Sequence, residues 1–562
     1  MKKLLRGGTV VNVFTGELER ADVLIENEKI VGVGDYADES VDAVEDVSGK
    51  FVCPGFIDGH IHIESTMLTP TELARLCLPH GTTAIVADPH EIANVCGVDG
   101  IRYMMEASRG LPLNVYFAIP SCVPASPFDE SGAILEAGDI EPLLDEKNVV
   151  ALAEMMNYPG VIFDDPKVHA KLDAARRHNK VIDGHAPFVS GKALNKYASA
   201  GVASDHECCD ASEAIEKIRC GQHVMIRQGT AAKNLEALLP LFEPPYKHRC
   251  LLVTDDRHPA DIMNEGHIDN IIRLAVKYGK SVVTAIQMAT IQAAEYFGIR
   301  YVGAISPGYR ADVLVLSDLE NVEVTDVYSR GEKVVDGKKT ADFVSPRIDA
   351  RLTEIALNSF HVKELTESDF RIEEKSKRCR VIEVIPGQLL TKEAPTEINW
   401  DKNNGIDTER DILKLAVIER HKNTGHVGLG FISGIGLKSG AIASSVSHDS
   451  HNLIVIGTND SDMALAANRV REHGGNAVVK DGEVIAEMAL PIAGLMSDVS
   501  GEEIARDNEK VREAVKNLGT AEGIEPFMNM AFVSLPVIPS IKMTTQGLVD
   551  VDKQEKISLY ID

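Results

Sequence analysis

The sequence predicts an α/β protein: a (β/α)8 barrel carrying a small split β-sandwich domain and an additional C-terminal α/β domain. Three observations lead there. Eight apolar, strand-like runs alternate with helical patterns between residues 51 and 300, two β-rich patches flank that stretch, and the character of the chain changes past residue 350. At 562 residues the chain is long enough for several domains, each with its own core.

Residues 1–50, the first part of the small β domain, hold short β-branched runs at Thr9–Phe14, Asp22–Ile25 and Lys29–Val33. Thr15-Gly16 and Glu26-Asn27 supply the turns between them. Residues 301–345 carry similar pieces at Ala311–Leu316, Val322–Tyr328 and Glu332–Val335. One sheet split by the intervening segment accounts for both patches; so do two separate hairpin modules.

The barrel segment, residues 51–300, shows its strand-like runs at Phe51–Ile63, Thr82–Ala87, Leu113–Ile119, Val149–Met155, Val181–Gly184, Gly201–Ser204, His223–Ile226 and Cys250–Thr254. Helical patterns such as Thr71–Leu78, Asp165–His178 and Lys233–Leu241 fall between them. Strand–helix alternation sustained over about 250 residues points to a closed barrel. An open doubly wound sheet would bring a GxGxxG phosphate turn, and the segment has none.

Residues 346–562 read as a separate domain: Leu413–Ile418, a Gly-rich run from Gly425 to Gly440, Leu453–Gly457, a helix over Ala464–His473, then Ala477–Val479. The Gly-rich run lacks the GK[ST] ending of a phosphate loop, so it predicts close backbone packing instead.

Composition narrows the partners. With 58 basic against 85 acidic residues, the formal charge is −27. Such a surface repels phosphate backbones and anionic lipid, which excludes a nucleic-acid polymer and a membrane surface and leaves a small-molecule substrate. Nine cysteines without a CxxC pair argue against a disulfide framework or a zinc knuckle and for a reducing, cytoplasmic compartment. No stretch approaches the ~20 apolar residues of a membrane span.

The chemistry sits where the strand-like runs stop. The first reads Gly55-Phe-Ile-Asp-Gly-His60-Ile-His62-Ile-Glu64, and the two-residue strand repeat sends His60 and His62 to one face. The fourth ends at Glu154, the fifth at Asp183-Gly-His185, the sixth at Asp205-His206 and the eighth at Thr254-Asp255. Taken singly, each has a plain structural explanation, as a rim ion pair or a satisfied core histidine. Five strand ends together, at the rim where barrel enzymes build their sites, predict a metal site held by His60, His62, Glu154, His185, His206 and Asp255. Four histidines and two carboxylates suffice for two divalent ions, with Glu154 able to bridge them. Asp255 is the expected general base and then acid for water activated by the ions, which makes the reaction a hydrolysis at an electrophilic carbon.

Three further motifs lie near the rim. Asp88, His90 and Glu91 would orient the metal ligands, hold an auxiliary ion, or merely cap their loop. Arg227 and Gln228 would hydrogen-bond a substrate edge, or Arg227 would pair with a carboxylate. His448, Asp449 and His451 would touch substrate from a lid over the barrel mouth, or form a polar turn.

These residues resemble the amidohydrolase superfamily, in the Pro54-Gly-Phe-Ile-Asp-Gly-His60-Ile-His62 start, the later histidines, Thr254-Asp255 and Pro307-Gly-Tyr-Arg-Ala-Asp-Val-Leu-Val315. Many relatives bridge their ions with a modified lysine; here Glu154 takes that position. Within the superfamily the chain is similar along its whole length to the adenine deaminase family. His60-Ile-His62-Ile-Glu64-Ser65, Ala87-Asp88-Pro-His90-Glu91, Ala153-Glu154-Met-Met-Asn157, Thr254-Asp255-Asp256-Arg257 and Ser447-His448-Asp449-Ser-His451-Asn452 carry the likeness. The resemblance implies hydrolysis of free adenine to hypoxanthine and ammonia at a binuclear Mn or Fe(II) centre, by attack of metal-activated hydroxide on C6. A homo-oligomer is expected from the size and the split β domain. The alternative is another amidohydrolase, acting on a cyclic amide or a different aminated heterocycle. A catalytically dead scaffold would have lost metal ligands, and all six positions are filled.

Overall fold

The computed structural model describes residues 1–230, 232–386 and 388–561. Eight parallel strands form the barrel: β1 (Phe56–Ile61), β2 (Thr82–Ala87), β3 (Asn114–Ile119), β4 (Val149–Met155), β5 (Val181–Gly184), β6 (Ser204–Asp205), β7 (His223–Arg227) and β8 (Cys250–Val253). They pair as an arc of five, β1 to β5, and an arc of three, β6 to β8. One gap is bridged where Ala203 N donates to Ile182 O at 2.8 Å, the other where Asp255 N donates to His60 O at 2.9 Å. Every residue of β1, β2 and β8 is buried, as befits parallel strands with side chains packed within and helices outside.

The apolar run Phe51–Ile63 turns out to be two strands. Phe51–Pro54 pairs antiparallel with Val313–Leu316 and parallel with Lys2–Val11, so it belongs to the small sheet. Gly55 makes the break. A Cβ there would lie 2.0 Å from Thr83 Oγ1, a separation no side chain tolerates, so the chain can cross from one sheet to the other only at glycine. The two terminal patches thus join in one nine-stranded sheet wrapped around Leu5, Val23, Ile25, Val52, Val313 and Tyr328. Two other elements differ from the sequence pattern. Strand six begins at Ser204 rather than Gly201, and the helix expected over Lys233–Leu241 is one turn, Leu235–Leu238, followed by a 3-10 turn containing Pro240. Proline lacks the N–H that would continue the helix.

The C-terminal part builds a nine-stranded, mostly antiparallel sheet from Thr391–Glu397 and Arg378–Val384 through Glu483–Met488, with Tyr560–Ile561 paired to the start of Arg378–Val384. In the Gly-rich run, a Cβ on Gly428 would lie 1.8 Å from Thr544 O, so glycine there lets two backbones touch. This unit sits on the mouth of the barrel: Ser497 N donates to Met67 O at 2.9 Å and Asn452 Nδ2 to Glu130 O at 2.7 Å. Among the described residues no helix is long and apolar enough to cross a membrane.

A fully buried lysine anchors the rim at β5 and β6. Lys217, on the helix Ala211–Arg219, donates to Ala186 O at 2.8 Å, to Glu213 Oε1 at 2.7 Å and to Asp205 Oδ2. Asp205 in turn accepts from Ala186 N and Glu207 N. The backbone on either side of His185 and His206 is therefore held by one buried ion pair. Removing one member strands the other: Lys217→Met should destabilise the fold by about 3–5 kcal/mol, and adding Asp205→Asn should recover part of it. Thermal unfolding of the single and double variants checks this.

Candidate functional site

The alternation along β1 puts Asp58, His60 and His62 on the same side of the strand, facing the barrel interior. Asp58 Oδ1 accepts from His60 N at 3.2 Å and from Thr254 N at 3.1 Å, while Oδ2 accepts from Thr254 Oγ1. The first and last strands are thereby pinned together directly beneath their rim residues.

At the rim, six buried or nearly buried side chains converge. Glu154, at the end of β4, divides its two oxygens between two pairs of histidines. Its Oε1 lies 3.4 Å from His62 Nε2 and 3.8 Å from His60 Nε2; its Oε2 lies 2.7 Å from His185 Nδ1 and 3.2 Å from His206 Nε2. Asp255, just past β8, brings Oδ1 to 2.9 Å from His62 Nε2 and 3.5 Å from His60 Nε2. It holds φ at 60°, in the left-handed region, a backbone strain of about 1–3 kcal/mol of the kind concentrated at functional sites.

The donor set suits a cation. His62 Nδ1 lies 3.1 Å from Asp88 O, which can only accept, so a proton sits on Nδ1 and Nε2 is the nitrogen turned toward Asp255 and Glu154. His60 Nε2 is buried without a hydrogen-bond partner. Charge tells the same story. Burial pushes the Glu154 carboxyl up, but His206, His185 and His62 outweigh it and hold it well below the usual range. Burial likewise opposes ionisation of Asp255, and Arg227 with His60 and His62 reverses that. The reciprocal effect raises His206, against burial, to about 9 through Glu154 and Glu207. Two ionised carboxylates in a dry pocket call for positive charge, which the imidazoles supply when protonated and a divalent cation could supply in their place.

Around this cluster stand the other expected residues. His90 Nδ1 is 3.1 Å from Asp88 Oδ2 and 3.6 Å from Glu154 Oε1, so His90 reaches the central group. Glu91 accepts from Ser65 Oγ at 2.8 Å and faces His448 Nδ1 at 3.4 Å and His451 Nε2 at 4.0 Å. Asp449 Oδ1 lies 3.9 Å from His90 Nε2. Arg227 forms a bidentate pair with Glu207, at 2.6 and 3.0 Å, and donates to Asp255 Oδ2. Its guanidinium is taken up by carboxylates instead of lying open to a substrate edge. Nor is His451 open: it is fully buried, with Nδ1 accepting from Ser447 N at 3.3 Å.

A cavity of about 80 Å³ lies beside the cluster, between the barrel mouth and the C-terminal unit. Glu64, Thr230 and Asp256 line it from below; His448, Phe527 and Phe532 line it from above. Glu64 and Asp256 were not expected at the site, nor were Asp58 and Lys217. Asp58 and Glu64 did carry a signal, since they share strand parity with His60 and His62, and Asp256 stands in the quoted Thr254–Arg257 motif; Lys217 carried none.

The chain is similar to known proteins along its length. Residues 51–334 match the amidohydrolase family and residues 388–555 match the adenine deaminase C-terminal domain. The adenine deaminase of Desulfatibacillum aliphaticivorans is 45% identical, over 99% of this chain and 97% of its own. The chain belongs to the adenine deaminase family. Adenine deaminase 2 of Carboxydothermus hydrogenoformans is 46% identical over 98% of this chain, and the adenine deaminase of Clostridium acetobutylicum 44% over 98%. In this member of the family the convergent cluster lies in the amidohydrolase segment, and His448, Asp449 and His451 lie in the segment matched to the family's C-terminal domain.

A cation that binds only the folded cluster must stabilise it. Chelator-stripped protein should therefore unfold at a lower temperature, and a divalent ion at 100 times its Kd should restore about 2.7 kcal/mol. Glu154→Gln should abolish that ion-dependent shift, as differential scanning calorimetry with and without the ion would show.

Proposed function

We propose that the protein deaminates adenine hydrolytically, giving hypoxanthine and ammonia, and that it does so with a binuclear Mn or Fe(II) centre held by His60, His62, Glu154, His185, His206 and Asp255. The observation that carries this reading is the division of Glu154, whose two oxygens each face a separate pair of histidines. A carboxylate so placed could be shared by two cations, one beside each pair of histidines. The substrate comes from the relatives, which carry the name adenine deaminase and match along nearly their whole length.

Bound there, the ions would supply Lewis acidity and lower the pKa of water toward neutrality. The protein supplies the proton traffic. Asp255 takes the proton of the water that attacks C6 and returns it to the departing amine, as base and then as acid. A C6–O bond forms, the C6–N bond breaks, and ammonia leaves. Arg227 fixes Asp255 Oδ2, so Oδ1 is the oxygen turned toward the histidines. Asp88 and His90 orient the cluster through His62 and Glu154. The nine cysteines are all unpaired, which fits a reducing cytoplasm, where we place the enzyme as a homo-oligomer.

Ammonia release from adenine by metal-stripped protein, reconstituted in parallel with Mn, Fe(II) and Zn, tests this. Activity should return with Mn or Fe(II), and Asp255→Asn should lower kcat by about 10²–10⁴-fold. Full activity in Asp255→Asn would remove it as the proton carrier. Silence with every ion would point to the cyclic amides and other aminated heterocycles.

A further inference from the structure

Behind the loop that carries His448 and Asp449 lies a cation that the hydrolytic cluster does not use. Arg420, two residues past the strand Leu413–Ile418, is fully buried. Among the described residues its hydrogen bonds all go to neutral oxygens. Nε donates to His451 O, Nη1 to Ser359 O and Oγ at 3.3 Å, and Nη2 to Ala493 O at 2.8 Å. The guanidinium carbon lies 4.1 Å from the centre of the Phe360 ring, and a Cβ on Gly494 would come within 3.0 Å of Nη2. Burial pulls the pKa of Arg420 down to about 9, which leaves it charged at neutral pH. Taking a guanidinium out of water without a carboxylate beside it is costly, and an apolar side chain would fill the same space more cheaply.

What an apolar residue cannot do is gather carbonyls from three separate segments, and the planar fork of arginine can. Two of those segments touch the barrel mouth. From residues 447–452, Asn452 Nδ2 donates to Glu130 O, His448 Nδ1 lies 3.4 Å from Glu91 Oε1, and Asp449 Oδ1 lies 3.9 Å from His90 Nε2. From residues 490–497, Ser497 N donates to Met67 O. His421 adds a second tie. Burial, with Arg420 next to it, holds the His421 imidazole well below its usual pKa, so the ring is neutral and its Nε2 donates to Ser450 O at 2.7 Å. Two consecutive carbonyls, those of Ser450 and His451, are thus drawn back into the C-terminal unit, while the side chains of His448 and Asp449 meet the barrel.

We propose that Arg420 is a positioning residue of the deaminase: through His451 O it fixes His448 and Asp449 against the barrel mouth, so that the C-terminal wall of the site is built before substrate arrives and does not swing as a lid. Arg420 touches neither the cluster nor the cavity beside it, and acts only through the loop. Removing the guanidinium releases three carbonyls at once, and a wall displaced by about 1 Å can cost roughly 100-fold in rate. The kinetic arm of the test rests on the adenine reading above; the exchange arm does not.

Hydrogen exchange of the metal-loaded, full-length wild type comes first. Peptides spanning residues 447–452 should exchange as slowly as those of the barrel strand Val149–Met155, whether or not hypoxanthine is present. Fast exchange that slows only when hypoxanthine binds would reveal a closing lid and overturn the proposal. In Arg420→Met, exchange over 447–452 should rise roughly 10-fold or more with the barrel strands unchanged. Bound metal should match wild type, and KM for adenine should rise roughly 10- to 100-fold while kcat falls by less than about threefold. Arg420→Lys keeps the charge without the fork, so it should recover only part of the lost KM. Wild-type kinetics in Arg420→Met would overturn the proposal, and so would a general loosening in which loop and barrel exchange faster together. Absence of ammonia from adenine with wild type would instead sink the deaminase reading, and the exchange measurements would still decide this one. Those on wild type need no variant, so they decide even if Arg420→Met fails to fold.

Discussion

One buried carboxylate, that of Asp58, holds the seam where the barrel closes on itself. It sits fully inside, accepts from His60 N, Thr254 N and Thr254 Oγ1, and so ties β1 to β8. Burial drives its pKa up to about 7, opposed by those same donors. Above the seam stand His60 and His62 on one strand and the strained Asp255 on the other. A misaligned seam would shift His60 and His62 against Asp255, and a site built from convergent side chains tolerates little such error. The position of the site therefore follows from how the barrel is closed.

Electrostatics then dictates the composition of the rim. Two carboxylates, Glu154 and Asp255, would be intolerable in a dry pocket on their own. Four imidazoles surround them, Arg227 braces Asp255, and Glu207 in turn braces Arg227. One layer further out, the buried Lys217–Asp205 pair secures the loops that carry His185 and His206. Each charge is matched by the next, in a chain that runs from the site to the helix Ala211–Arg219.

The C-terminal unit is more than an appendage to this barrel. Its loop around His448 meets Glu91, and its helix Pro526–Val533 covers the cavity next to the cluster. Ser65, Glu91 and His448 form a continuous polar seam between the two units, with Asp449 approaching His90 from the same side. Part of this loop's polarity is met across the seam, where Asn452 Nδ2 donates to Glu130 O and Ser450 Oγ approaches Asp129 Oδ1, and part within the C-terminal unit itself, where Ser447 meets Ser534.

Much of this was legible in the chain alone. The eight-fold alternation specified the barrel because strand and helix periods leave distinct apolar patterns, and parallel strands read as continuous apolar runs. The six convergent residues were legible because barrel sites sit at strand ends, so position along a strand stands in for position in space. Where one apolar run served two sheets, at Phe51–Ile63, hydrophobicity could not reveal the crossing; only the approach of Gly55 to Thr83 decided it. The direction of Arg227 was equally out of reach, since an arginine at a strand end may face a substrate or a carboxylate, and Glu207 and Asp255 settled which. Asp256 and Phe532 are separated by nearly half the chain, and no local pattern links them. Sequence by itself determined the architecture and which side chains gather at the barrel rim, because both rest on periodicity within single elements. Tertiary structure alone decided which charges pair and which walls meet across the cavity, because those depend on the packing of one folded unit against another.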